Sequence, residues 1–262
     1  MNLMAKYLSD MHPLQVVFFR ALGTFAFIFP YMIHKRIPII GKQVLWLSIR
    51  GIIGFISLAI FFIVIQRIPL GSAISIRYSG PVFAVILALL FLKEKVKLLQ
   101  WISLLVAIVG VFVLKGADLR IDSLSFILAL TSAVLVGAVF TIIRYLGPKE
   151  HALTIINYFM VVSLIGSLFF IQYWRMPIGE EWIWVGTIGI FGLIGQVFMT
   201  RAFQLAETNI IAPFKYMELV YALLLGLVFL NEEYSFIALI GMTLIILGML
   251  LNVYSKQRGG KG

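Results

Sequence analysis

Cysteine is absent from the 262 residues. That excludes a disulfide framework, a thiolate metal site and a cysteine nucleophile. Charge is scarce: 12% of residues are charged, against about 25% in an ordinary soluble domain. Acidic groups are the rarest of these, with 11 Asp and Glu against 21 Lys and Arg. No Gly-rich loop ending in Gly-Lys-Ser/Thr is present, so the chain is not itself a P-loop ATPase. His12, His34 and His151 fall outside or at the edge of the apolar runs and lack metal-ligand spacing. No Ser-His-Asp set and no selectivity-filter motif is seen. The expectation is therefore no catalytic residue, no metal and no cofactor. What the chain does have is apolar surface: 62% of residues are hydrophobic and the mean hydropathy is +1.06. A chain this apolar cannot hide its surface from water, which argues against a soluble enzyme, a nucleic-acid binder or a disordered protein. The net charge of +10 then reflects membrane topology rather than a phosphate-binding face.

Long apolar stretches between short polar breaks mark membrane crossings of about 20 residues each. Nine such spans are read at 14–33, 44–66, 71–92, 98–115, 123–143, 153–173, 182–204, 209–230 and 235–254. Breaks such as His34-Lys35-Arg36, Lys93-Glu94-Lys95 and Asn231-Glu232-Glu233 lie between them, and Trp46, Trp101, Tyr173, Trp174, Trp182, Trp184 and Tyr254 sit near span ends. The runs are too long for barrel strands and lack a period of two. Alternate loops carry Lys and Arg unequally. One set holds Lys35, Arg36, Lys42, Lys93, Lys95, Lys97, Arg144, Lys149, Lys256, Arg258 and Lys261; the other holds Lys6, Arg67, Lys115, Arg120 and Arg175. The richer set contains the C-terminal tail, which places that tail in the cytoplasm and, with nine crossings, the N-terminus outside.

The chain also matches itself at an offset of 138 residues. From Trp46/Trp184 to Gly110/Gly248 no gap is needed, and 17 of 65 positions are identical. The informative pairs are Gly51/Gly189, Gly54/Gly192, Gln66/Gln204, Tyr78/Tyr216 and Glu94/Glu232, with Arg77 opposite Lys215. A one-residue slip extends the match to His12/His151. The halves are therefore 1–116, with four full spans, and 117–262, with five. In this register the first helix of a five-plus-five pattern is mostly missing, through N-terminal shortening or as a true nine-helix variant. An odd number of helices per repeat makes the halves enter the membrane in opposite directions, an inverted repeat of the kind secondary transporters use. A duplicated scaffold that transports nothing has the same signature. The expected fold is thus an all-α polytopic membrane protein built from inverted five-helix repeats.

Two features carry a family resemblance: repeats that each end a helix in Phe-Leu-x-Glu (Phe91 to Glu94, Phe229 to Glu232) before a Gly-containing last helix, and the segment His-Pro-Leu-Gln-Val-Val-Phe-Phe-Arg from His12 to Arg20. The chain resembles the drug/metabolite transporter superfamily in its EamA-type branch, including members similar to S-adenosylmethionine uptake proteins. The resemblance covers essentially the whole chain. It implies a permease for small metabolites and leaves the substrate open.

Ionisable residues within spans are the candidate site, because such groups are costly in lipid and face a bundle interior or a wet cavity. They are Arg20, Arg77, Arg201, Lys215 and Glu218. Four cations and one anion favour a carboxylate, phosphate or zwitterionic ligand. Arg77 and Lys215 are equivalent in the repeat and each is followed by Tyr (Tyr78, Tyr216). They either line a common cavity or snorkel to an interface. Glu218, three residues after Lys215, either couples protons or neutralises that lysine. Arg50, close to a span end, is expected to snorkel. Gln66 and Gln204 are expected to bind loops, and Glu94 and Glu232 to anchor them. Pro81 interrupts one span near its middle, and Pro213 lies in the first turns of the equivalent span; each removes a helical hydrogen bond. The small-residue ridge Gly186, Gly189, Gly192 and Gly195, matched by Ser48, Gly51, Gly54 and Ser57, is expected to let helices approach closely.

The sequence thus describes a secondary transporter that moves a small anionic or zwitterionic metabolite by alternating access, with substrate between the repeats. A non-transporting membrane scaffold or interaction subunit is the main alternative, and a lipid-modifying enzyme a weaker one. The expected partners are a small-molecule metabolite and the lipid bilayer, with a homodimer as a further candidate and no nucleic acid. The expected location is the bacterial cytoplasmic membrane.

Overall fold

The computed structural model describes residues 1–77, 79–92, 98–117, 121–205, 221, 224–231 and 233–257. All regular structure among them is helical. After a short α1 (Asn2–Tyr7) come α2 (Pro13–His34), α3 (Val44–Arg67), α4 (Leu70–Arg77), α5 (Gly80–Leu92), α6 (Leu98–Ala117), α7 (Ser123–Leu146), α8 (Ala152–Leu168), α9 (Glu181–Leu205) and α10 (Phe236–Gln257). Single 3₁₀ turns at Gly147–Lys149 and Ile171–Tyr173 precede and follow α8. Residues 224–229 are also helical; the rest of the span read at 209–230 lies almost wholly outside the described residues. The other spans match to within a few residues at most ends. Two depart from expectation. The span at 153–173 is helical only to Leu168, and the span at 71–92 is two helices.

Five helical stretches among the described residues are long and apolar enough to cross a membrane: Pro13–His34, Val44–Arg67, Leu70–Phe91, Ser123–Leu146 and Glu181–Leu205. Trp101–Val113, Ala152–Leu168 and Phe236–Gly248 are shorter apolar helices. Large apolar side chains cover the outside as well as filling the core, and several polar side chains are buried. Phe27, Ile56, Phe112, Ile127, Ile165 and Phe198 are exposed, while Thr24, Arg50, Ser57, Ser163, Gln196 and Thr200 are buried. Exposed apolar flanks on this scale are what lipid covers. The chain is an all-α polytopic membrane protein.

It divides into two compact units. One contains residues 1–66 and 142–205, the other 67–141 and 206–262. In the first, α2 packs on α8 and α9. A Cβ placed on Gly23 of α2 would lie 2.8 Å from the Cα of Gly189, so only glycine permits that approach between α2 and α9. Gly51 of α3 lies against Val162 and the carbonyl of Tyr158 on α8. In the sequence register Gly51 pairs with Gly189, and Val162 with Gly23, so the two contacts are counterparts. The ridge is used only in part: among the described residues, a methyl added at Gly186 or Gly195 would meet nothing within 4 Å.

The loops show the same correspondence. Gln66, near the end of α3, donates from Nε2 to the carbonyl of Met11 at 3.0 Å. Gln204, near the end of α9, donates to the carbonyls of Gly147 and Glu150, each at 2.8 Å. Both glutamines therefore tie a helix end to the loop that leads into the preceding helix, as expected. His12 and His151 are the N-cap residues of α2 and α8, and Nδ1 of His151 accepts from the Leu153 amide at 3.2 Å. In the second unit α6 packs on α10, and Gly80 and Gly137 bring α5 and α7 together. A Cβ on Gly137 would lie 2.7 Å from the Gly80 carbonyl oxygen.

Candidate functional site

Arg77 is the last residue of α4, and α5 begins at Gly80. The amide of Ser79 donates to the carbonyl of Ile76 at 3.0 Å, and that of Val82 to the carbonyl of Ser79 at 2.9 Å. Both bonds reach three residues back instead of four. Pro81 has no N–H, so it cannot supply the bond that the Arg77 carbonyl would accept in a continuous helix. The result is a pair of half-helices within one apolar stretch, broken where the cation stands. Arg77 is half-buried, and its Nη1 donates to Ser132 Oγ of α7 at 3.0 Å. The Gly80–Gly137 contact holds α7 close enough for that bond. The other members of the expected site in this unit, Tyr78, Lys215, Tyr216 and Glu218, lie outside the described residues, as do Glu94, Glu232 and Pro213.

Arg20 belongs to the first unit and is buried. Its Nη2 donates to Gln196 Oε1 of α9 at 3.4 Å and its Nε faces Met1 Sδ at 3.1 Å. Its guanidinium carbon lies 5.6 Å from the centre of the Phe159 ring. Arg201, by contrast, is exposed.

Arg50 corrects an expectation. It does not snorkel: it is 1% exposed, and its guanidinium carbon lies 4.4 Å from the Phe159 ring centre. The space exists because Gly54, one turn further along α3, has no side chain. An added Cβ there would meet the Phe159 ring at 3.1 Å and Arg50 Nη1 at 3.4 Å. In the sequence register Gly54 pairs with Gly192 and Phe159 with Arg20, and Gly192 indeed faces Arg20: a Cβ added there would lie 3.1 Å from Arg20 Cγ. The interior of this unit therefore brings together two arginines, one aromatic ring and the amide of Gln196, supplied by α2, α3, α8 and α9.

Ionisation outside the spans is simpler. Burial holds the imidazoles of His12 and His151 below the usual histidine range, and Arg201 adds to the effect at His151. Hydrogen bonding by Ser125 holds the Asp122 carboxyl, at the start of α7, below its usual range. Arg175 forms a two-pronged ion pair with Glu181, at 2.8 and 2.5 Å. Among the described residues no group of three His, Asp or Glu side chains could hold a metal ion.

An apolar exterior, polar groups buried among apolar ones and a broken span with a cation at the break suit a membrane transporter. The chain belongs to the EamA-like transporter family, whose pattern matches residues 1–115 and 123–254. It is similar to the pseudopaline exporter CntI of Pseudomonas aeruginosa, at 29% identity over 98% of this chain and 92% of the relative. It is also similar to the S-adenosylmethionine uptake transporter of Rickettsia felis, at 27% identity over 98% and 88% of the two chains. The human solute carrier family 35 member G1 is 28% identical over 88% of this chain and 68% of its own. One solved crystal structure shares the fold, with a TM-score of 0.72 at 17% identity over 98% of this chain and 94% of the other.

Proposed function

We propose that this transporter moves a small anionic or zwitterionic metabolite across the bacterial cytoplasmic membrane by alternating access, with its C-terminus in the cytoplasm. The two halves, 1–116 and 117–262, are read as inverted repeats. Arg77 and Lys215 hold an anionic group of the cargo, Tyr78 and Tyr216 contact the remainder, and Glu218 and Arg20 adjust the charge. The observation that carries this reading is the break at Arg77–Gly80. Discontinuous helices near mid-span are where transporters of inverted-repeat design expose backbone groups and charge to substrate. The names of similar proteins support a metabolite as cargo, since one exports pseudopaline and another takes up S-adenosylmethionine.

The test is uptake of labelled metabolites by liposomes containing the purified protein. The reading expects saturable uptake of at least one carboxylate- or phosphate-bearing compound, abolished by Arg77→Ala and by Lys215→Ala in protein that still melts cooperatively. Uptake that survives both substitutions removes these residues from the mechanism. Uptake of none of the compounds favours the scaffold.

A further inference from the structure

Arg50 is the most deeply buried charged side chain among the described residues of the first unit. Its Nε and Nη1 make no hydrogen bond, and no acidic side chain among the described residues pairs with it. A buried guanidinium left in this state is costly, and removing water from it demands some compensation. Phe159 supplies part of it through its ring face. The ring cannot satisfy N–H donors that lie in the guanidinium plane. A second donor close by is also unanswered. Gln196 is buried, its Oε1 is taken by Arg20, and its Nε2 has no partner.

The unanswered atoms of Arg50 (Nε and Nη1) and of Gln196 (Nε2) are all donors. The missing partner is therefore an acceptor. Water would accept hydrogen bonds but leave the charge of Arg50 in place. A carboxylate or phosphate group supplies several acceptor oxygens together with negative charge, and matches the planar fork of arginine. We infer that Arg50, with Arg20 and Gln196 around Phe159, forms an oxyanion-binding site for a carboxylate or phosphate group of the transported metabolite. The inference rests on the reading of the chain as a carrier of anionic cargo. It adds a site within residues 1–66 and 142–205 to the Arg77 site. Gly54 belongs to this site as the residue that leaves room for the guanidinium over the ring.

The experiment is thermal melting of the purified full chain in nanodiscs, titrated with acetate or inorganic phosphate against chloride at matched ionic strength. The wild-type midpoint rises with at least one oxyanion, and the stronger of the two identifies the class. Arg50→Met melts higher than wild type without oxyanion, because it removes an uncompensated charge, and no longer responds to either probe. Arg50→Lys keeps the charge and loses the fork, so its half-saturating oxyanion concentration rises about tenfold. A wild-type response equal to that in chloride overturns the site. So does an unchanged response in Arg50→Met or, should that variant fail to fold, an unchanged half-saturating concentration in Arg50→Lys. Uptake of labelled metabolites by proteoliposomes is measured in parallel. An oxyanion response without any uptake overturns the transport reading alone, and uptake without an oxyanion response overturns this site alone.

Discussion

Gln204 and His151 make their contributions through hydrogen bonds at loop ends. Gln204 answers two backbone carbonyls, of Gly147 and Glu150, where its counterpart Gln66 answers one, of Met11. An orphaned part-buried carbonyl costs about 1–3 kcal/mol. Gln204→Ala should therefore lower stability more than Gln66→Ala in denaturant titrations of the detergent-solubilised protein. His151 caps α8 with a neutral ring, since its Nδ1 must accept. Its folded pKa lies below the ordinary 6.5, so the unfolded chain binds its proton first. Stability is then full above the ordinary value and falls as pH drops through it toward the folded value. His151→Asn, which caps without titrating, should flatten the fall in melting midpoint between neutral and mildly acidic pH.

At the same scale, Arg50 shows what a sequence conceals. Its distance from a span end suggested snorkelling, but depth and facing are separate quantities. The facing is set by Gly51 and Gly54, which turn that side of α3 toward α8 and leave room beside Phe159. A signal was present, since Gly54 lies one turn from Arg50. It could be read only by asking what an arginine would do beside an absent side chain. The loop role of Gln66 and Gln204, in contrast, followed from their position at equivalent helix ends.

Among elements, the hydropathy runs located the helices well because each crossing needs a continuous apolar stretch. They failed at one end and at one interior break. Beyond Leu168 the residues Phe169, Phe170, Ile171 and Tyr173 stay apolar while the helix stops. Two of these residues join an aromatic cluster: His12 stacks against Phe170 and Tyr173, and Trp174 lies tilted against Phe18. The break at Ser79 was foreshadowed by Pro81, which removes one bond. Close packing is the other property of this scale. Gly23→Ala and Gly189→Ala each push a methyl against the opposite backbone, at 2.8 Å, and should each cost about 1–3 kcal/mol. Their effects should not add, because both widen the same contact. Gly186→Ala, which meets nothing within 4 Å among the described residues, should be neutral or raise the melting midpoint slightly by favouring the helix.

For the whole molecule, the compact units do not coincide with the halves seen in the sequence. Each unit takes helices from both halves. Self-alignment reports ancestry, whereas compactness reports which helices pack, and in this chain α2 packs on α9 and Gly51 of α3 on α8. The proposed inverted orientation of the halves has a direct consequence. Lys42, in the loop before α3, and Glu180, in the loop before α9, hold equivalent places and are both exposed. Because the chain contains no cysteine, Lys42→Cys and Glu180→Cys variants can be labelled without background. A membrane-impermeant maleimide applied to intact cells should react with cysteine 180 and spare cysteine 42; labelling of both from one side contradicts inverted halves.

Alternating access itself is tested most directly by counterflow. Proteoliposomes preloaded with an unlabelled carboxylate- or phosphate-bearing metabolite are diluted into a trace of the same labelled compound. The account predicts transient accumulation of label in the wild type and its loss in Arg77→Ala at unchanged melting midpoint. Equal accumulation in Arg77→Ala, or accumulation of cationic cargo alone, would contradict it.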